Sequence, residues 1–182
     1  MVDSLPSYAT PFFGRPKELD QIVSLLNDPT CRLLTLIGPG GIGKTRLAIE
    51  AVRRFHDTSS RDFHLVLLQP LTAPDLIVQA VAAAVNFQFY SSDDPRQQLL
   101  DFLHEKQMLL VMDNFEHLLD GVDLLIDILN EAPAIKFLVT SRERLNVQEE
   151  WGLPLEGLSF HNNKHHHHNL TNVSSTCTCL GV

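Results

Sequence analysis

The stretch that decides the fold is LLTLIGPGGIGKT, residues 33–45. It begins with an apolar run typical of a strand, and residues 38–45 match the pattern G-x-x-x-x-G-K-[ST] in full. The helical pattern TRLAIEAVRRF follows directly from Thr45. A strand, a glycine-rich loop and a helix in this order are the context in which the pattern forms a phosphate-binding loop. A glycine-rich turn that binds nothing is the alternative, and the complete match in this context disfavours it.

The glycines of this loop have a chemical purpose. The backbone must curl around a phosphate with its N–H groups pointing inward, and many side chains would obstruct that path. Gly38, Gly40, Gly41 and Gly43 give the chain this freedom. The helix that starts near Lys44 directs its positive dipole end and its unpaired N–H groups at the anion. We therefore predict that these residues bind the phosphates of a nucleotide.

The other positions of the loop complete the predicted site. Lys44 is expected to reach the β and γ phosphates, and Thr45 is expected to ligate Mg²⁺ through its hydroxyl. Pro39 has no N–H to donate, which costs nothing if that position faces away from the phosphate. Ile42 and Arg46, within and just after the loop, belong to the same predicted nucleotide-binding set. The pattern therefore favours ATP or ADP with Mg²⁺ as the ligand.

The overall composition indicates one domain, or one domain and a tail. The chain has 182 residues, of which 44% are hydrophobic and 20% are charged, and so apolar a chain can bury a core and is not wholly disordered. Its net charge of −8 argues against a protein that coats nucleic acid or anionic lipid by bulk charge. Local basic sites are still compatible with this composition.

Three observations favour a cytoplasmic protein. No stretch approaches the roughly 18 continuous apolar residues of a membrane span. Residues 1–10 lack the basic start and the apolar run of a signal peptide. The cysteines, Cys31, Cys177 and Cys179, are odd in number, which fits a reducing compartment better than a disulfide scaffold. We expect no association with a membrane.

Residues 161–182, HNNKHHHHNLTNVSSTCTCLGV, differ from everything before them. They hold five of the nine histidines, and Lys164 is their one charged residue, so the rest of the chain carries −9. They show neither a helical nor a strand period and cannot build a buried face. Metal binding by the histidines is disfavoured against a cloning remnant or a shifted reading frame, because consecutive histidines on a floppy tail are no preorganised site. We expect a disordered, non-native tail after a domain of residues 1–160.

Apolar runs and helical periods alternate along residues 1–160, which is the pattern of a parallel sheet with helices on both faces. We predict a three-layer α/β core of the P-loop NTPase type, with a mostly parallel five-stranded sheet. The predicted strands are Leu33–Ile37, His64–Leu68, Met108–Met112, Phe137–Thr140 and Trp151–Leu155. The predicted helices are Pro16–Leu26, Lys44–Phe55, Ala73–Val85, Pro95–His104 and Phe115–Leu129. Near-continuous apolar strands are expected where helices cover both faces of a sheet.

A second strand, Met108–Met112, delivers Asp113 at its carboxyl end. In P-loop proteins such an aspartate holds Mg²⁺ directly or through water. Two helical stretches and a strand separate Thr45 from Asp113, which predicts that one strand lies between the two motif strands in the sheet. That order commonly accompanies a catalytic carboxylate just past the aspartate, but the adjacent residue is Asn114, which cannot accept a proton from water. Glu116 is the nearest candidate base, and capping of the following helix is an equal alternative for it.

The next predicted strand leads into Thr140, Ser141 and Arg142. Ligands of open α/β sheets bind at the carboxyl ends of the strands, so Thr140 and Arg142 are expected near the γ phosphate. The Arg142 guanidinium would then read whether that phosphate is present. A solvated helix start is the alternative for this segment, and Arg144 is expected to be an ordinary surface charge.

Five segments in order resemble the STAND class of signalling ATPases, a branch of the AAA+ superfamily that includes the NB-ARC domains. They are TPFFGRPKELDQI, LLTLIGPGGIGKTRLA, KQMLLVMDNFEHLLD, KFLVTSRERL and WGLPLEGL, between about Leu5 and Leu158. The chain is similar in particular to the ATPase regions of large bacterial transcription regulators. Many families share the phosphate loop alone, whereas the ordered set is much more specific.

The resemblance implies roles that the local pattern does not assign. In such proteins a Phe-Gly-Arg segment lies along the adenine and the ribose, which implies nucleotide contacts for Phe13, Gly14 and Arg15. Without the resemblance, this segment indicates only the beginning of a helix, with Pro16 in its first turn.

The resemblance also implies a magnesium aspartate at Asp113 and a sensor at Arg142. Many members carry a second acidic residue where this chain has Asn114, and this departure from the family pattern favours slow hydrolysis. The catalytic set is therefore expected to be Lys44, Asp113, Glu116 and Arg142.

Family members continue into a helical and a winged-helix region that close over the nucleotide, followed by sensor repeats and an effector. Here the pattern stops near Phe160, so we expect a truncated regulator whose partners are those lid, sensor and effector regions and, in a nucleotide-dependent oligomer, copies of itself. The expected function is ATP binding with slow Mg²⁺-dependent hydrolysis, as the nucleotide switch of a signalling or transcription-regulating ATPase. The alternatives are a small-molecule kinase, which would need a lid and an acceptor pocket, and a DNA-handling AAA+ ATPase, although direct nucleic-acid binding is not expected of so acidic a chain.

Overall fold

The computed structural model describes residues 6, 10–59, 61–90 and 94–157. The predicted tail, residues 161–182, and the predicted end of the domain at residue 160 lie outside the described residues. Among the helices that the structure describes, none is long and apolar enough to cross a membrane.

A five-stranded sheet forms the centre of the protein, and its strands pair in parallel throughout the described residues. The strands are β1 (Leu33–Ile37), β2 (Asp62–Leu67), β3 (Met108–Asp113), β4 (Lys136–Ser141) and β5 (Glu150–Pro154). Their order in the sheet is β2-β3-β4-β1-β5. Strand β4 therefore lies between β1, which precedes the glycine-rich loop, and β3, which ends in Asp113. Both the predicted sheet and the predicted intervening strand are confirmed.

Helices cover both faces of the sheet, as predicted. They are α1 (Pro16–Asn27), α2 (Lys44–Ser59), α3 (Ile77–Ala84), α4 (Pro95–His104) and α5 (Val122–Glu131). Apolar residues of α1 and α2 share one buried core with the sheet, and those of α3, α4 and α5 share a second core. The three layers follow from these two cores.

Strand β3 shows why the central strands are apolar throughout. Leu109 and Val111 belong to the core beneath α1 and α2, whereas Leu110 and Met112 belong to the core beneath α3, α4 and α5. Successive side chains of a strand point to opposite faces, so a strand covered on both sides has no solvent-facing position. The expected near-continuous apolar pattern follows from this packing.

The predicted helix Ala73–Val85 begins later than predicted because of a proline. A 3₁₀ turn spans Pro74–Leu76, and α3 begins only at Ile77. Ala73, which precedes the proline, is extended, with φ −148° and ψ 146°. A residue before proline is driven out of the helical region by the proline ring, which accounts for the delayed start.

The predicted helix 115–129 is wrong over its first half. Two 3₁₀ turns occupy Phe115–His117 and Leu119–Gly121 before α5 begins. Leu118, which joins the turns, has φ −127° and ψ 26°, outside the helical region. Gly121 lies so close to α3 that a Cβ atom there would stand 2.5 Å from the Cδ1 atom of Ile77. Packing between distant segments has bent a stretch whose local period is helical.

No helix follows β4 within residues 142–149, so the alternative of a solvated helix start is wrong. The segment instead folds back on the start of β5. The Glu150 carboxylate accepts hydrogen bonds from the N–H groups of Leu145 at 3.0 Å and Asn146 at 3.2 Å. This loop leaves Arg142 at the carboxyl edge of the sheet, beside the glycine-rich loop.

Candidate functional site

The glycine-rich loop runs from the end of β1 to the start of α2, at the carboxyl edge of the sheet. Gly41 has φ 76° and Gly43 has φ 94°, a region that other residues rarely adopt. A Cβ atom added at either position would meet no atom of the described part of the chain within 4 Å. These two residues are therefore required for the path of the backbone and not for close packing, and they leave open space beside the loop.

Lys44 is the buried cation of this loop, with 8% of its surface exposed. Its ammonium group donates to the carbonyl oxygens of Gly38 at 2.7 Å and Pro39 at 3.2 Å. Burial lowers the pKa of Lys44, while the Glu116 carboxylate raises it and the Arg142 guanidinium lowers it further. A cation held only by neutral carbonyls is placed to gain from an anionic ligand.

Asp113 is the centre of a short hydrogen-bond network at the ends of β3 and β4. Its Oδ1 atom accepts from the hydroxyl of Thr45 at 2.8 Å and from the hydroxyl of Thr140 at 2.7 Å. The Thr140 oxygen in turn accepts from the N–H of Asn114 at 2.9 Å. One carboxylate oxygen thus joins α2, β3 and β4, and holds the Thr45 hydroxyl beside Asp113.

Glu116 and Arg142 form an ion pair at the same edge. The Nε atom of Arg142 donates to Oε1 of Glu116 at 2.8 Å, and the Glu116 side chain is 11% exposed against 64% for Arg142. The second carboxylate oxygen of Glu116, Oε2, is buried and has no hydrogen-bond partner among the residues that the structure describes. Neither the 3₁₀ turns after β3 nor α5 carries a side-chain cap, so Glu116 does not cap a helix.

Most of these groups line one cleft of about 310 Å³, and Asp113 is joined to it by its hydrogen bonds with Thr45 and Thr140. Its lining includes Gly40, Lys44, Thr45, Glu116, Thr140 and Arg142. The guanidinium of Arg142 lies beside the loop, because a Cβ atom on Gly40 would stand 3.6 Å from its Nη2 atom. The structure therefore brings together residues from the ends of β1, β3 and β4 that are far apart in the sequence.

The segment that the family resemblance links to adenine lies on the other side of the loop. Phe13 is 77% exposed, and Gly14 adopts φ 97°. A separate hollow is lined by Phe12, Phe13, Arg15, Ile42, Gly43 and Arg46. This hollow adjoins the glycine-rich loop through Ile42 and Gly43, so an extended ligand could occupy both regions.

Two arginines hold this segment in place. Arg15 is 3% exposed and donates to the carbonyl of Ile42 at 3.3 Å and to that of Glu156 at 2.7 Å. Arg46 donates to the carbonyls of Thr10 and Pro11. Both side chains thus bond to the backbone and fasten the segment before α1 to the loop and to α2.

The chemistry of this donor set suits a polyphosphate and a magnesium ion. A hydroxyl and a carboxylate, those of Thr45 and Asp113, lie 2.8 Å apart, and both are the hard oxygen ligands that Mg²⁺ takes. Lys44 supplies a cation beside the loop, where oriented N–H groups favour anions. The unpaired, buried Oε2 of Glu116 marks a polar group that lacks a donor. The residues present therefore fit a nucleotide and its metal.

Two features of the site were not predicted from the sequence. One is the bond from Thr140 to Asp113, which come directly after Val139 and Met112, the last paired residues of β4 and β3. Polar residues at the ends of neighbouring strands could have indicated this bond. Arg144 is exposed, as predicted, but it also packs on β5, where a Cβ atom on Gly152 would stand 2.8 Å from its Nη1 atom. This contact joins the loop after β4 to β5, and no local pattern in the sequence indicates it.

Sequence comparison adds a family and a relative. A family model described as an AAA domain matches residues 27–148. A Mycobacterium tuberculosis protein named as an HTH-type transcriptional regulator is 36% identical over 126 residues, which cover 68% of this chain and 14% of the relative. The chain thus spans about one seventh of the length of that relative.

Structural comparison identifies solved proteins of the same fold. The ORC2 protein of Aeropyrum pernix, in ADPNP–ADP complexes, matches with a TM-score of 0.61 and 15% identity over 84% of this chain and 51% of its own. A STAND protein with a tetratricopeptide repeat sensor from Pyrococcus horikoshii matches with a TM-score of 0.56 and 19% identity, over 86% of this chain and 25% of its own. At these identities the likeness is one of fold.

Proposed function

The chain belongs to the AAA domain family, and from that premise we propose that it binds ATP or ADP with Mg²⁺ and hydrolyses ATP slowly, as the nucleotide switch of a signalling or transcription-regulating ATPase. The observation that carries this proposal is the shared cleft, in which the glycine-rich loop, Lys44, Thr45, Glu116 and Arg142 meet.

Binding rests on the loop and on Lys44. The Lys44 ammonium donates to the carbonyls of Gly38 and Pro39. Charged acceptors make stronger hydrogen bonds than neutral ones. A phosphate oxygen beside the loop would therefore compete well for the same protons. The backbone at Gly41 and Gly43 leaves the space that this requires.

The metal site rests on Thr45 and Asp113. The Thr45 hydroxyl now donates to the Asp113 carboxylate, and both would turn oxygen lone pairs toward Mg²⁺. When bound, the ion neutralises phosphate charge as it develops during hydrolysis. The bond from Thr140 to the same carboxylate keeps Asp113 in position whether or not Thr45 moves.

Hydrolysis needs a base, and Glu116 is the candidate within the cleft. Its carboxylate would take a proton from water as the water oxygen bonds to the γ phosphorus and the bond to ADP breaks. The ion pair with Arg142 opposes this role, because it stabilises the carboxylate and occupies one of its oxygens. With Asn114 in the position next to Asp113, this arrangement favours slow turnover.

The switch role is supported by the relatives. One is named as a transcriptional regulator and one solved neighbour as a signal transduction ATPase, and this chain matches only part of each. A nucleotide biases a switch only by its different affinity for two states. Arg142 supplies a means for this difference, because a γ phosphate would compete with Glu116 for its guanidinium.

Calorimetric titration with ATP and ADP, with and without Mg²⁺, tests the proposal. We expect Lys44→Ala to weaken Mg-ATP binding by about a hundredfold, on the order of 3 kcal/mol, and Asp113→Asn to weaken it by about tenfold, close to 1.4 kcal/mol. Asp120→Asn, an exposed aspartate away from the cleft, is the matched control and should change the affinity less than about twofold. Binding of ATP that survives Lys44→Ala unchanged would overturn the proposal.

Phosphate release measured on the same proteins tests hydrolysis. We expect Glu116→Gln to lower turnover while ATP still binds. Phosphate transfer to a metabolite would favour the kinase alternative, and salt-sensitive binding of DNA would favour the DNA-handling one.

A further inference from the structure

Arg15 bonds to three separate segments of the chain. Its Nη1 atom donates to the Glu18 carboxylate in α1 at 3.0 Å. Its Nη2 atom donates both to the carbonyl of Ile42, in the glycine-rich loop, at 3.3 Å and to the carbonyl of Glu156, after β5, at 2.7 Å. The side chain is 4% exposed, so these bonds form in a site from which water is largely excluded.

The segment after β5 touches the loop a second time. The N–H of Leu155 donates to the carbonyl of Ile37 at 2.7 Å, which extends the pairing of β1 and β5 by one residue. The carbonyl of Leu155 lies 3.1 Å from where a Cβ atom on Gly38 would stand. Leu155 therefore contacts the beginning of the loop directly, and Glu156 is joined to the middle of the loop through Arg15.

Arg32 provides a contrast with the same chemistry. Its guanidinium donates to the carbonyls of Leu129, Ala132 and Ile135 at 2.7, 2.7 and 3.2 Å. All three acceptors lie in or just after the end of α5, so Arg32 stabilises one local structure. The two carbonyls that share Nη2 of Arg15 lie in segments more than a hundred residues apart, so Arg15 joins two structures.

We propose that Arg15 is a positioning residue that couples the glycine-rich loop to residues 155–157, so that a ligand in the loop also orders the segment by which the chain leaves the sheet. The identity of that ligand, a nucleoside triphosphate, rests on the proposed function, whereas the coupling itself does not. The guanidinium is planar and its N–H groups are fixed relative to one another. Displacement of the Ile42 carbonyl therefore shifts or breaks the bond to Glu156, and the reverse also holds.

Hydrogen exchange on the full chain tests this coupling, with Arg15→Lys as the variant and Arg32→Lys as the matched control. Lysine keeps the charge but cannot span two carbonyls and a carboxylate with the geometry of the arginine fork. Without nucleotide, Arg15→Lys should speed exchange by at least about threefold in peptides covering both 38–45 and 152–157. Arg32→Lys should leave both peptides unchanged and act instead near 129–136.

Addition of Mg-ATP gives the second readout. In the unsubstituted chain, both peptides should exchange more slowly, by about tenfold at saturation. In Arg15→Lys at a saturating concentration, peptide 38–45 should retain most of its protection and peptide 152–157 should lose it. A variant that only weakened the fold would exchange faster in peptides throughout the chain. The Arg32→Lys chain is the control for such a general loss of protection.

The possible failures are distinguishable. Absence of any nucleotide effect in the unsubstituted chain would overturn the proposed function, while the nucleotide-free comparison would still decide the coupling. Protection of 152–157 that persists in Arg15→Lys would overturn the coupling and leave nucleotide binding intact. If Arg15→Lys does not fold, Glu18→Gln loosens the guanidinium without removing it, and it should reduce the same protection to a smaller extent.

Discussion

Two buried lysines occupy opposite edges of the sheet and make similar bonds. Lys44, at the carboxyl edge, is 8% exposed and donates to the carbonyls of Gly38 and Pro39. Lys136, at the amino edge, is 5% exposed and donates to two carbonyls at the end of α1, including that of Leu26. Burial is the main cause of a lowered pKa in both. Burial and bonding therefore do not by themselves distinguish a ligand-binding lysine from a structural one.

The surroundings of the two lysines make the distinction. The carbonyls under Lys136 end a helix, whose negative dipole end the ammonium neutralises, so that the cation already has its counter-charge. The carbonyls under Lys44 belong to a loop held open by glycines, and the cation faces a cleft that also holds Thr45, Glu116 and Arg142. Lys136 thus neutralises a helix end at the amino edge of the sheet, whereas Lys44 at the carboxyl edge can bind an anionic ligand.

The largest expected effect separates the two lysines by affinity. Lys44→Met should weaken Mg-ATP binding by on the order of 3 kcal/mol, about a hundredfold, because a buried phosphate charge would lose its cation. Lys136→Met should leave the dissociation constant within about twofold. Isothermal titration on both variants makes the measurement, and equal losses of affinity would erase the distinction drawn between the edges.

The stability of the same two variants should show the reverse order. Lys136→Met removes the donor from the carbonyls of Leu26, which is buried, and Asp28, which is partly buried, and should lower the free energy of unfolding by about 2 kcal/mol. Lys44→Met should cost less, since Pro39, one of the two residues whose carbonyls it frees, is exposed. Urea denaturation without nucleotide measures both. A Lys44→Met protein less stable than Lys136→Met would mean that Lys44 is the structural lysine.

The sequence predicted elements far better than contacts. The bounds of β1 and α4 are those predicted, and the presence of one strand between β1 and β3 was also predicted, because apolar runs, Pro95 and the spacing of motifs are local signals. Residues 115–121 were wrong, because Gly121 packs on α3 and a helical period carries no information about that distant neighbour.

Within the site, the predictable part was the loop and the strand-end carboxylate. Lys44 and Thr45 follow from the motif at residues 38–45, and Asp113 follows from the apolar strand that ends in it. The bonds of Arg15 to Ile42 and Glu156 could not be foreseen, because they depend on how β5 returns to β1. Side chains that join segments distant in sequence need the tertiary structure before their roles can be inferred.

A smaller effect tests whether the carboxyl edge is preorganised. Thr140→Val keeps the shape of the side chain but removes one of two hydroxyls that donate to Asp113. We expect about tenfold weaker Mg-ATP binding, the worth of one hydrogen bond to a charged group, and little change for ATP without Mg²⁺. Thr35→Val is the matched control, because its buried hydroxyl has no hydrogen-bond partner. Similar losses of Mg-ATP affinity in the two variants would show that the Thr140 hydroxyl contributes no more to the metal site than the hydroxyl of a core threonine does.

The smallest effect concerns the amino edge and its response to pH. Burial raises the pKa of the Cys31 thiol from 9.0 to about 11, with Lys136 opposing the shift. The unfolded chain therefore releases this proton at lower pH than the folded chain. The contribution of the thiol to the free energy of unfolding is fully present below pH 9 and is lost as pH rises toward 11. Between pH 8 and 10 the unsubstituted chain should lose on the order of 1 kcal/mol more stability than Cys31→Ala, measured by urea denaturation. Lys136 also titrates in both chains, and its attraction to the Cys31 thiolate is part of the measured difference. Parallel profiles of stability against pH in the two chains would mean that the Cys31 thiol is solvated. Water would then reach the amino edge of the sheet, although Lys136 is buried there.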